Sequence, residues 1–211
     1  MVKLVCKILY SLLFIFVGLN SYGVEINYTL LNGTKGRLTV PDDIIEINAF
    51  NGNMNFVRSN GELINLRTTS PMIEIIGIEN LPILNKMELS RQLNTNNLSF
   101  LRSSSLKYLF IDWVTLENMD FLQNFPNLRH LGLQSITFNG ANMDLSNTQI
   151  RYFIVSHIRS ADTIELIRNN YLEEFIYFFS NIVLNNSQNI RIINNHNDFR
   201  NEPTHFRLFM W

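Results

Sequence analysis

Leu106 to Pro126, LKYLFIDWVTLENMDFLQNFP, with the related Asn127 to Phe138, NLRHLGLQSITF, decides the fold. Apolar residues stand at Leu106, Leu109, Ile111, Val114, Leu116, Met119, Leu122 and Phe125, and the next round opens at Leu128, a period of 22 residues. A period of that length is the mark of a solenoid, in which one turn of chain cannot bury its apolar face alone and stacked turns can.

Working outward with Leu-x-x-Leu-x-Leu as a probe, turns begin at Ile44/Ile47/Ala49, Leu63/Leu66/Thr68, Leu84/Met87/Leu89, Leu106/Leu109/Ile111, Leu128/Leu131/Leu133, Ile150/Phe153/Val155 and Leu172/Phe175/Tyr177. Their starts are separated by 19, 21, 22, 22, 22 and 22 residues, and a shortened turn follows at Ile190/Ile193. At the second position Ile73/Ile76/Ile78 fits the probe better than Leu63/Leu66/Thr68 but spoils the spacing to Leu84. Each probe segment reads as a short parallel strand with alternate side chains pointing into the coil. The rest of each turn returns along the outside. Asp162-Thr163-Ile164-Glu165 has the form of a capping box, with Ile164 and Ile167 one helical turn apart, and Asn118 is placed to cap a turn carrying Phe121, Leu122 and Phe125. Both predict short helical pieces on the return side.

This central stretch resembles the leucine-rich repeat family, and within it the internalin-type class of 22-residue repeats. Leu106, Leu109, Ile111, Leu116, Met119, Leu122 and Phe125 fall on that class's apolar positions. The resemblance is good over Leu84 to Leu184 and loose over Ile44 to Ile83. LTVPDDIIEINAFNGN, from Leu38 to Asn53, is also similar to repeats of bacterial cell-surface leucine-rich proteins. What the resemblance implies is an α/β solenoid with a parallel β-sheet on the concave face and short helical or irregular convex segments, in a protein of adhesion or host contact. One departure stands out. Where the class carries an asparagine that bonds to loop backbone, this chain has Gln92, Val114, Ile136, Ile158 and Ser180. The corner after each strand must therefore satisfy its backbone groups in another way.

Before the repeats, VEINYTL alternates from Val24, and Asn32-Gly33 with Gly36 supplies a turn into RLTV and Pro41. Residues 24–43 are thus expected to form a β-hairpin that caps the open end of the solenoid, itself spanning 44–200. Residues 1–23 read as a secretory signal peptide, with Lys3 and Lys7, the apolar run Ile8 to Leu19, and the small-x-small Ser21-Tyr22-Gly23. The run is short for a membrane span, and an uncleaved N-terminal anchor is the alternative reading. The single cysteine, Cys6, lies inside it, so the mature chain has no thiol for a disulfide or a thiolate metal site. The apolar 201–211 segment, ending FRLFMW, is a cap for the other end or half of an interface.

Removing Lys3 and Lys7 leaves 15 basic against 18 acidic residues, a net of −3, which gives no electrostatic reason to expect nucleic acid. The four histidines, His130, His157, His196 and His205, are not spaced as ligands on one helix face, and no glycine-rich phosphate loop or GxSxG is present. No cofactor, metal or catalytic residue is expected, and the chain is read as no enzyme.

The register gives the candidate site. In a repeat starting at Leu106 the third, fifth and seventh side chains point away from the core, and stacking sets equivalent positions about 4.8 Å apart. The third column is Lys86, Tyr108, His130, Tyr152 and Glu174; the fifth is Glu88, Phe110, Gly132, Ile154 and Ile176. The seventh is Ser90, Asp112, Gln134, Ser156 and Phe178, with Trp113 beside it. Aromatic side chains on a rigid surface carry much of the energy at protein interfaces, so this inner face is the expected protein-binding site. Two other readings of the same residues stay open: a neighbouring segment such as the C-terminal tail covers them, or the register is off by one. The expectation is a secreted or cell-surface protein that recognises an unidentified protein partner. A self-associating structural component of the envelope and a glycan-binding protein stand as alternatives.

Overall fold

The computed structural model describes residues 23–50, 52–91, 98–160, 162–178, 182–184 and 191–193. The predicted signal peptide up to Tyr22, the 201–211 tail, Gln92, Ser180, His196 and His205 lie outside these residues. Within them the chain is mostly β, a parallel-stacked β-solenoid of about four turns with almost no helix.

The chain opens with β1 (Gly23–Leu30) and β2 (Lys35–Pro41), paired antiparallel around the Asn32-Gly33 turn. Gly33 has φ +82°, and the Asn32 side chain accepts from the Thr34 N–H. β3 (Ile44–Phe50) then runs into β4 (Asn53–Arg58) and β5 (Leu63–Arg67), an antiparallel meander. β6 (Met72–Ile76) returns to pair antiparallel with β1.

Two expectations are corrected here. Leu63/Leu66/Thr68 does not open a solenoid turn, because Leu63 to Arg67 is the outer strand of a hairpin. Ile73 and Ile76 lie on β6 in the sheet of β1 and β2. The physical reason is turn chemistry. Asn51-Gly52 and Asn60-Gly61 are strong hairpin signals, and Gly52 and Gly61 have φ +87° and +85°. They reverse the chain where a solenoid would carry it round a corner. The parallel course resumes with β7 (Lys86–Ser90), which pairs directly with β3, Ile47 against Met87 and Ala49 against Leu89. Meander and β6 are therefore an excursion between the first two parallel strands.

From there the coil is regular. β8 (Tyr108–Asp112), β10 (His130–Gln134), β13 (Tyr152–Ser156) and β15 (Glu174–Phe178) stack parallel in the register that the 22-residue spacing predicts, and β17 (Arg191–Ile193) follows. Three buried columns fill the coil, led by Leu106, Leu109 and Ile111, each fully shielded from solvent. Phe153 stacks on Phe175 at 5.6 Å between ring centroids, and Phe175 on Tyr177 at 5.2 Å.

The corner after each strand answers the question raised by the missing asparagines. Arg91, Trp113, Ser135 and His157, spaced 22 residues apart, all have positive φ, between 50° and 61°. A left-handed non-glycine residue costs roughly 1–2 kcal/mol. Here the conformation aims the corner N–H at the next turn. Trp113 donates to the Gln134 carbonyl at 3.2 Å, Ser135 to Ser156 at 2.9 Å, and His157 to Phe178 at 3.0 Å. Backbone thus bonds backbone where an asparagine side chain was expected, and Val114, Ile136 and Ile158 are released to be buried.

On the return side, β9 (Thr115–Leu116) pairs with β11 (Thr137–Phe138), and Thr137 bridges on to Arg159. Beyond it β12 (Asn142–Asp144), β14 (Ile164–Ile167) and β16 (Ile182–Leu184) form a third parallel ladder. The helix expected at the Asp162 capping box is corrected to a strand. Ile164 and Leu166 are both buried while Glu165 and Ile167 between and after them are half-buried, a period of two and not of 3.6. The Asn118 expectation fares better: Asn118 accepts from the Asp120 N–H, and Asp120–Asn124 is a short 3₁₀ segment burying Phe121 and Leu122. Ile78–Asn80 is another.

Candidate functional site on the inner face

The outward side chains of β3, β7, β8, β10, β13 and β15 build one continuous face in three columns. β3 extends the columns by Glu46, Asn48 and Phe50, which sequence reasoning left out although it had placed Ile47 and Ala49 on a core strand. Continuing the alternation of β3 would have found them.

The third column begins with ions and continues with rings. Lys86 Nζ bonds Glu46 Oε1 at 3.0 Å and Glu88 Oε1 at 2.8 Å. Burial pulls its ammonium down, but the hydrogen bonds it donates to Glu88 and Glu46 outweigh this and hold it above the usual value. Next, Tyr108, His130 and Tyr152 form a continuous stack, with centroids 4.2 Å and 4.5 Å apart and planes within 17° and 13°. Strand spacing sets these distances, and only flat rings fill them face to face. His130 is buried between its neighbours. Tyr152 donates its hydroxyl to Glu173 at 2.9 Å, which with burial raises its pKa. The column ends with Glu174, buried and paired to Arg191 at 2.9 Å.

In the fifth column Phe110 lies across Gly132, where an added Cβ would meet its ring. Glycine there is what lets the aromatic lie flat along the sheet. Ile154 and Tyr152 pack on Ile176 and Phe178, which are both buried in a small cluster separate from the main core. In the seventh column Ser90 donates to Asp112 Oδ2 at 2.7 Å, and Asp112 Oδ1, also buried, has no hydrogen-bond partner. Burial pushes the Asp112 carboxyl up, against the pull of Ser90 and the Arg91 charge. Gln134 and Ser156 are half-buried, and Ser156 Oγ is 2.6 Å from His157 Nδ1.

Trp113 follows Asp112, the seventh-column residue of β8. It stands one residue past β8 at the left-handed corner, half exposed, with the Arg91 guanidinium 4.6 Å above its ring. The face is thus polar and charged toward β3 and β7 and aromatic toward β8 and β13, and the expectation that β15 continues it is corrected, since Glu174, Ile176 and Phe178 are all buried. Among the described residues no cluster of three or more His, Cys, Asp and Glu side chains could hold a metal, and no helix is long and apolar enough to cross a membrane.

No protein-family model, curated protein or solved structure matches the chain.

Proposed function

We propose that this chain is a secreted or cell-surface repeat protein of leucine-rich, internalin-like type that recognises another protein through its inner face, without a cofactor and without catalysing a reaction. The observation that carries this reading is the stack of Tyr108, His130 and Tyr152 beside Phe110 and Ile154. Their conformational entropy is already spent in the free protein. Such preorganised rings lose little on binding and supply large contact area. Among the described residues the carboxylates Glu46, Glu88 and Asp112 at the other end of the face, against Lys86 and the neighbouring Arg91, leave an acidic excess that favours a partner whose surface is basic there.

The test is capture from host-cell and envelope extracts by the secreted chain, with a folded Tyr108→Ser/Phe110→Ser double variant beside it. A protein retained by the wild type and lost by the variant supports the reading. Equal retention by both sinks it. Sequencing the N-terminus of the secreted chain checks the leader, with a start near Val24 expected.

A further inference from the structure

The corner ladder builds a second surface that the inner-face reading does not use. Stacking of successive turns places Trp113, Ser135 and His157 in one row, and Thr115, Thr137 and Arg159 in the next. Together with Val114 and Ile158 these six line a groove of about 440 Å³. The corner N–H ladder fixes the first row, and the pairing of Thr115 with Thr137 and of Thr137 with Arg159 fixes the second. The groove is therefore part of the rigid coil, and no loop has to close to form it.

Its chemistry is specific. One half-exposed indole is held by Arg91, which comes from the turn before Trp113, on the side away from Ser135 and His157. Among the described residues the lining adds three hydroxyls, one imidazole, one guanidinium and the apolar Val114 and Ile158, and no carboxylate. Among the described residues the Thr115, Ser135 and Thr137 hydroxyls and the Arg159 guanidinium make no side-chain hydrogen bond or ion pair. A wholly apolar ligand would waste these donors, and a cation would meet Arg159. What fits is a molecule with a flat C–H face for the indole, several hydroxyls, and one carboxylate for the guanidinium fork. From Thr115 to Arg159 is two strand spacings, about 10 Å, a span of one or two sugar rings.

We propose that this corner groove binds a carboxylated saccharide, with the C–H face of a sugar ring on Trp113 and its carboxylate on Arg159. The site stands apart from the inner face and does not depend on protein recognition there.

The experiment is calorimetric titration of the intact secreted chain with short oligomers of galacturonate, glucuronate and sialate. A neutral galactose oligomer and a sulfated oligosaccharide serve as comparisons. At least one carboxylated oligomer is expected to bind and the neutral one not. Arg159→Gln, an exposed substitution, should weaken binding by about tenfold or more, the worth of a hydrogen bond to a charged group. Trp113→Asn keeps a residue type that tolerates the left-handed corner and should weaken it similarly. The Tyr108→Ser/Phe110→Ser variant should bind the sugar like the wild type, which separates this site from the inner face. Absence of binding to every carboxylated oligomer, equal binding of the neutral one, binding of the sulfated one alone, unchanged affinity in Arg159→Gln, or loss in the inner-face variant would each overturn the proposal.

Discussion

The antiparallel N-terminal region and the parallel coil turn their chains by opposite means. Among the described residues from β1 to the end of β6 and just past it, the positive-φ positions are all glycine: Gly33, Gly52, Gly61 and Gly77. Among the described residues from β7 onward the positive-φ positions are Arg91, Trp113, Ser135 and His157, none of them glycine. A hairpin turn is a local event, so its residue must itself tolerate the left-handed region. A solenoid corner is held from both sides by the turns above and below. There the strain of an ordinary residue is offset by an N–H bonded to the next turn. The difference teaches that a corner in this coil does not need a glycine, which leaves room for side chains there, and those of Trp113, Ser135 and His157 line the groove.

The largest expected effect tests whether the coil's alternation is what holds it. Leu109 is fully buried and Phe110, its neighbour on β8, is half-buried on the opposite side of the sheet. Leu109→Ala should cost about 2–5 kcal/mol as a core truncation, and Phe110→Ala clearly less, in urea unfolding followed by circular dichroism. Equal losses would mean that both faces of β8 are core.

The glycine contrast can be broken directly. Gly77 has φ +106°, and an added Cβ would run into the Glu25 carbonyl of β1. Gly77→Ala should therefore destabilise by more than the roughly 1–2 kcal/mol of left-handed strain alone. Ser135→Gly goes the other way. It relieves that strain at the cost of about 0.5–1 kcal/mol of extra chain entropy, so a small net gain in stability is expected. A clear loss in Ser135→Gly would show that the Ser135 side chain, and not its backbone, holds the corner.

How much of this was legible in the sequence follows the same divide. Spacing alone located β7, β8, β10, β13 and β15 and their register, because one slip would turn Leu109 and Ile111 to solvent. It failed at Leu63 and Ile73, where apolar residues at coil-like intervals belong to antiparallel strands. The signal that separates the cases, Asn51-Gly52 and Asn60-Gly61, was present in the chain. At Asp162 a capping-box pattern lost to the ladder on either side of β14, since a return segment stacked between two strands is drawn into pairing. The inner-face columns were readable once the register was known. The corner groove was not, because periodicity marks Trp113, Ser135 and His157 as equivalent but cannot show that they are left-handed or that they line a groove with Thr115, Thr137 and Arg159.

The smallest expected effect sets one carboxylate from each region against the other. In the N-terminal region, a hydrogen bond from Arg58 at 2.9 Å, helped by Ser59, holds Asp43 below its ordinary value of 3.8. In the coil, burial holds Asp112 above 3.8. Linkage then gives opposite signs. Asp43 contributes stability that is present above pH 3.8 and lost as pH falls through its lowered folded value. For Asp112 the favourable condition is fully present below pH 3.8 and lost as pH rises through its raised folded value, where ionisation must occur in a buried site. Asp43→Asn should therefore melt lower than wild type at neutral pH, and Asp112→Asn slightly higher. Both differences should shrink toward zero in acid, that of Asp112 by pH 3.8 and that of Asp43 only below it. Melting curves from pH 3 to 7 would check this. A loss in Asp112→Asn at neutral pH would mean that the ionised carboxylate is satisfied within the fold, and Asp112 would then drop out of the acidic end of the proposed binding face.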